Sequence, residues 1–134
     1  MTTPYAAALL TLFISGAAVA ATPQQTQCEL DGNQGQMNAC AQQRLSRADT
    51  QLNQLYKQQL QKLRGKSQER FRQSQRSWIS YRDQVCAFES GPRADGGSMW
   101  PMQDALCKAR MTTERNAMLE EYLQCSEGSC PPAQ

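Results

Sequence analysis

Six cysteines in a chain of 134 residues constrain this sequence more than any other feature. Small domains with little apolar material are commonly cross-linked wherever the compartment is oxidising. The apolar material here is thin: aromatic residues make up 7% of the chain, and the mean hydropathy is −0.67. One domain with a small core, held partly by disulfides, is the expected object. The export that such cross-links require is written at the N-terminus. PYAAALLTLFISGAAVAA, residues 4 to 21, is an uncharged apolar run ending in the small-x-small pattern Ala18-Val19-Ala20. It is closely followed by Pro23 and glutamines, so it reads as a secretory leader covering residues 1–21 rather than as a membrane span. The expected location is periplasmic or secreted, and the processed protein is not expected to be integral to the membrane. The leader contains no charged side chain, so the mature chain retains the formal net charge of +2.

Behind the leader, an N-terminal segment (22–36) precedes three helical patterns within residues 37–124, and a tail of residues 125–134 closes the chain. The first pattern runs from Met37 to Leu63. Ala41, Leu45, Ala48, Leu52, Leu55, Leu60 and Leu63 fall near one face, and good helix formers occupy most of the remaining positions. Gly65 suits the left-handed position after a helix, and Ser67 is placed to cap the next one. The second pattern carries Phe71, Trp78, Tyr81, Val85 and Phe88 at steps of seven, three, four and three, with Ile79 and Cys86 widening the stripe. The loop SGPRADGG (90–97) interrupts it. Pro101 is tolerated in the first turn of the third pattern, which runs to Gln124 with Met102, Ala105, Leu106, Ala109, Met118, Leu119, Tyr122 and Leu123 as its apolar face.

Short connections make successive helices antiparallel neighbours, so the predicted fold is all-α, a small three-helix antiparallel bundle cross-linked by disulfides. This geometry puts Cys40, Cys86 and Cys107 at one end, with Cys28 able to reach it. Six cysteines permit many connectivities and spacing does not decide among them. The sequential scheme is preferred: Cys28 with Cys40, Cys86 with Cys107, and Cys125 with Cys130. Each of the first two would contribute about 3 kcal/mol by loop closure. A metal or redox role is disfavoured, because there is no C-x-x-C and no histidine.

Three separated blocks then point to a family. QMNACAQQRLSRADTQLNQLYKQQL, QRSWISYRDQVCAFE and GGSMWPMQDALCKARMTTERNAML together resemble the N-terminal domain of the LprI-type lysozyme-inhibitor family. Asp49, Leu52, Asn53, Tyr56, Trp78, Arg82, Asp83, Cys86, Cys107, Thr112 and Arg115 sit on its pattern. The resemblance spans residues 28 to 123. It implies an exported four-cysteine helical domain, with Cys125 and Cys130 as an extra tail pair, and a lysozyme-like muramidase as the protein partner.

Catalysis is not expected. The usual histidine base is missing, and no nucleophile elbow, phosphate loop or metal motif is present. No cofactor is called for. The dense stretch SWISYRDQVCAFES (77–90) is read as structure. Trp78 and Tyr81 are expected in the core, with Arg82, Asp83 and Arg115 as an interhelical clamp, since buried charges persist only when paired. Arg82 and Asp83, adjacent on a helix, are expected to reach other helices rather than each other. Arg82 would reach a carboxylate or a helix C-terminus, and Asp83 would reach Arg115, Tyr56 or a backbone donor.

Function is then expected on the surface, where charge is segregated. Arg44, Arg47, Lys57, Lys62, Arg64, Lys66, Arg70, Arg72 and Arg76 make helices one and two basic, against only Asp49 and Glu69. Glu89, Asp95, Asp104, Glu114, Glu120, Glu121 and Glu127 bias the cysteine end and the third helix negatively. A muramidase is itself basic, so binding it would use the acidic residues Glu114, Glu120 and Glu121. The alternative is a module that binds anionic envelope material, lipopolysaccharide or acidic glycan, through Arg64, Lys66, Arg70 and Arg72. A nucleic-acid partner is not expected for an exported chain.

Overall fold

A computed structural model of the chain describes Cys28 and residues 30–125. The expected leader, Cys130 and most of the tail lie outside these residues. Three helices make up the fold: α1 (Gln34–Lys62), α2 (Gly65–Ser90) and α3 (Trp100–Gln124), with a single 3-10 turn, Gly97–Met99, before α3. There is no strand among the described residues.

Each helix boundary has a local cause. The Asn33 side chain accepts the Gln36 N–H at 3.0 Å while the Gln36 side chain accepts the Asn33 N–H at 2.9 Å. This reciprocal cap starts α1 three residues earlier than the hydrophobic pattern suggested. Leu63 is extended and Gly65 takes a φ of 51°, so the chain reverses at the glycine expected there. Ser67 does not cap α2, which has already begun at Gly65. The carbonyls left open at the end of α1 are met instead by Gln68, whose Nε2 donates to Leu60 O at 3.2 Å, and by Arg64, whose Nη1 donates to Gln61 O and Leu63 O. Pro101 stands in the first turn of α3.

The topology is up-down-up, so α1 and α3 run parallel and α2 antiparallel to both. At one end the Asn38 side chain donates to Ser98 O, and at the other Lys62 Nζ donates to Leu123 O at 2.7 Å. The Cys28–Cys40 and Cys86–Cys107 disulfides close at the first of these ends, as the sequence predicts. The third expected pair cannot be followed, since Cys130 is outside the described residues.

The three interfaces are unequal. α1 packs mainly along α3, α2 packs on α3, and α1 and α2 meet only sparsely. Ala41, Ala48, Ala105 and Ala109 are buried between α1 and α3, where small side chains allow close approach. The larger apolar cluster joins Leu52, Leu55, Leu63, Phe71 and Leu119, with Tyr56 stacked on Phe71 at 5.2 Å. A smaller cluster surrounds Cys86, Cys107 and Met111, and Trp78 packs against both.

The stripe on α2 is only partly core. Phe71 and Cys86 are buried, and Trp78 and Val85 are half-buried. Tyr81, expected in the core, is 59% exposed, and Phe88 is 87% exposed. The reason is the sparse α1–α2 contact: a helix seated on one neighbour buries a narrow face, and the wings of a broad apolar stripe stay outside.

Candidate functional site

The centre of the molecule is a polar cluster threaded through the apolar contacts. Arg82 Nη1 on α2 donates to Asp49 Oδ1 on α1 at 3.0 Å and to Thr112 Oγ1 on α3 at 3.1 Å, so one guanidinium ties all three helices. This is the interhelical carboxylate partner expected for Arg82. Asp83 behaves differently from its expectation. Arg82 Nε and Nη2 donate to Asp83 Oδ1 at 3.0 and 2.9 Å, and no bond runs from Asp83 to Arg115 or Tyr56. Backbone positions one apart diverge by about 100° on a helix, but the long arginine stem turns its head back across that angle.

Arg115 also stands over the Trp78 ring. The guanidinium carbons of Arg82 and Arg115 stand 5.5 and 5.7 Å from the indole centroid, so two cations share the ring. Arg115 is only 8% exposed. Its Nε and Nη2 both donate to Gln75 Oε1 at 3.2 Å, and its Nη1 lies 3.0 Å from Met118 Sδ. Burial pushes its guanidinium below the ordinary arginine value, with the nearby Tyr122 opposing that shift. Asn116, the next residue, donates to Ala48 O at 3.1 Å and clips α3 to α1.

Above this cluster, between α2 and α3, is a groove of about 310 Å3. Trp78, Tyr81, Val85, Met111 and Met118 line it together with Arg115, and Glu89, Arg110 and Glu114 stand at its rim. Arg110 Nη2 donates to both oxygens of Glu89, at 3.1 and 3.0 Å, and Nη1 to Glu114 Oε1 at 3.4 Å. Glu89, chiefly by that hydrogen bond, raises the Arg110 guanidinium above its usual value. A larger groove, about 680 Å3, runs between α1 and α3 and is lined by Arg44, Arg47, Gln51, Arg110 and Thr113 over a floor of Ala48, Leu106 and Ala109. Arg44 leans toward the N-terminal segment, its Nη2 donating to Cys28 O at 3.0 Å.

The surface charges expected to bind partners fall in separate places. Arg64, Lys66, Arg70 and Arg72 are all exposed about the α1–α2 turn. None of them is in an ion pair among the described residues. The acidic three are not one patch. Glu114 faces α2 through Arg110, and Glu120 faces α1, accepting from Gln51 Nε2 at 2.8 Å. Glu121 is exposed, seven residues beyond Glu114 and so on its side of the helix. Two participants escaped the sequence reading. The only signal for Gln75 in the sequence is its position between Phe71 and Trp78 on the apolar stripe. Met118, assigned to the core, is 41% exposed and belongs to the groove. Among the described residues no group of three or more acidic or cysteine side chains is arranged to hold a metal ion.

The sequence profile of the family described as "Lysozyme inhibitor LprI" matches residues 25–119, which include both disulfides, the Asp49–Arg82–Thr112 tie and the groove. The chain belongs to the LprI family. A family relative, an uncharacterized protein of Rhizobium meliloti (strain 1021), is 31% identical over 135 residues, covering 91% of this chain and 96% of the relative. No solved structure matches the chain. Within this LprI domain, Cys86, Cys107, Arg82, Thr112 and Trp78, all on the pattern noted in the sequence, converge where α2 meets α3. No helix among the described residues is long and apolar enough to cross a membrane.

Proposed function

We propose that this LprI-family chain is an exported, non-enzymatic module that binds a protein of the envelope, with a lysozyme-like muramidase as partner, through the face formed by α2 and α3. The observation that carries this reading is the uncovered apolar stripe on α2. Tyr81 and Phe88, seven residues apart on one side of the helix, are largely exposed, and Tyr81 lines the groove together with Trp78, Val85 and Met118. Single exposed apolar residues are ordinary, and Ile79, on a different side of α2, is one of them. An exposed aromatic pair, one member of which lines a groove of mixed aromatic, thioether and charged side chains, has the composition of a protein-binding patch. The rim carboxylates Glu89 and Glu114, with Glu121 beyond, suit a basic enzyme better than an acidic polymer. Disulfides and family membership support the periplasmic or secreted location.

A second reading has its own observation. The four exposed, unpaired cations of the α1–α2 turn would suit anionic envelope polymers. The two readings separate on columns. The mature protein is passed over immobilised C-type lysozyme and over immobilised lipopolysaccharide, each across a salt series. Retention on lysozyme that survives replacement of Arg64, Lys66, Arg70 and Arg72 by Gln supports the protein-binding reading. Retention on lipopolysaccharide alone, abolished by that variant, overturns it.

A further inference from the structure

Arg82 and Arg115 share the same indole, and their partners differ. Arg82 meets two carboxylates, Asp49 and Asp83. Arg115 is the more buried residue and meets none. Its acceptors are one amide oxygen and one thioether, and no carboxylate among the described residues lies within ion-pair distance of it. A buried cation without an anion is costly, and mutation and selection remove such groups unless something returns the cost. The thioether stands where an anion's oxygen would stand. Sulfur of this kind is a weak acceptor, whereas a carboxylate on a guanidinium is among the strongest pairs available to side chains. Met118 is exposed and unbranched, so it can move aside without disturbing the core.

We propose that the groove between α2 and α3 receives a carboxylate side chain of a protein partner, its oxygen replacing Met118 Sδ on Arg115 Nη1 and its hydrocarbon stem resting between Trp78 and Tyr81. This deepens the protein-binding reading above and rests on it. At about 310 Å3 the groove is at the small end of ligand pockets, so it takes one side chain rather than a helix. The charge at its mouth does not forbid entry. Arg110 sits between Glu89 and Glu114 and leaves one net negative charge there, exposed and screened by salt. The positive charge of Arg115 is buried and screened far less, so it dominates the field inside the groove. A basic partner fits this arrangement when it offers one acidic side chain among its cations.

The test uses the mature protein and two capped tripeptides, acetyl-Leu-Glu-Leu-amide and acetyl-Leu-Gln-Leu-amide, at matched ionic strength. Binding is followed by NMR at the Trp78 indole N–H and the Met118 methyl. The Glu peptide is expected to shift both signals saturably and to bind at least tenfold more tightly than the Gln peptide. Arg115→Met should abolish the difference between the peptides, while the stability gained by removing a buried charge without an anion is offset by leaving the buried Gln75 Oε1 without its two donors. Met118→Glu supplies the carboxylate from within, and it should close the site to the Glu peptide and raise the melting temperature even if Arg115→Met fails to fold. Equal binding of the two peptides, or undiminished Glu-peptide binding in Met118→Glu, overturns the proposal. Glu-peptide selectivity in a protein that does not bind lysozyme supports the groove and overturns only the choice of partner. Lysozyme binding without that selectivity overturns the groove and leaves protein binding standing.

Discussion

The α1–α3 pair and the seat of α2 are held by different means. Between α1 and α3, four alanines bring the backbones together, Leu52 and Leu119 fill the contact, and one buried asparagine fixes the register. The gain there is area removed from water, which is spread over many residues. α2 relies more on discrete attachments: Phe71 at one end, the Cys86–Cys107 disulfide and the Arg110–Glu89 pair at the other, and between them Trp78, the Arg82 tie and the Gln75–Arg115 bonds. Its outer aromatic residues face solvent. The contrast indicates that the α1–α3 pair supplies most of the buried contact, and the function proposed above gives α2 a second role, that of presenting a face.

The comparison can be attacked first where the pair is densest. Leu119 is fully buried in the larger cluster. Leu119→Ala is expected to cost about 3 to 4 kcal/mol, since large-to-small changes at packed leucines lose both transfer and cavity energy. Urea unfolding checks this, and all three helices should melt together. Replacing Cys86 and Cys107 with Ser should cost slightly less, about 3 kcal/mol by the loop-closure estimate. Its effect should be uneven. Hydrogen exchange should speed up in the second half of α2 well before α1 and α3 respond, because only the half-buried Val85 and the exposed Arg110–Glu89 pair then hold that end. Uniform acceleration would mean that α2 is as firmly integrated as its neighbours.

A smaller effect is expected at the polar tie. Asp49→Asn leaves Arg82 with Asp83 and Thr112, and because Asp49 is partly exposed the loss should be about 1 to 2 kcal/mol. Chemical denaturation measures it. A loss near that of Leu119→Ala would show that the α1–α2 contact is stronger than its sparse packing indicates.

Much of this arrangement was legible in the sequence, and the exceptions share a cause. Apolar spacing located the helices, Gly65 located the reversal, and the cysteine positions along antiparallel helices located the cross-linked end. Of the two kinds of partner expected for Arg82, a carboxylate or a helix C-terminus, the structure has it on the Asp49 carboxylate of α1. The exposure of Tyr81 and Phe88 was not legible, because a hydrophobic stripe records what a helix could bury and not how many neighbours it has. The pairing of Arg82 with Asp83 was hidden for a similar reason: helical geometry fixes where side chains start, and a long arginine reaches well beyond that direction. Arg115 was read as part of a clamp with a carboxylate because buried charges are usually paired. Its amide and thioether acceptors, Gln75 and Met118, come from residues whose role only the packed structure reveals.

The central claim is that the exposed wing of the α2 stripe, Tyr81 and Phe88, is spare to the fold and needed for binding. Tyr81→Ser with Phe88→Ser tests it in one protein, measured twice: thermal melting, and retention on immobilised C-type lysozyme. The account predicts a stability within about 0.5 kcal/mol of the parent, as for surface substitutions away from packed contacts, together with at least a tenfold loss of affinity. A variant that melts much earlier, or one that binds as tightly as the parent, contradicts it.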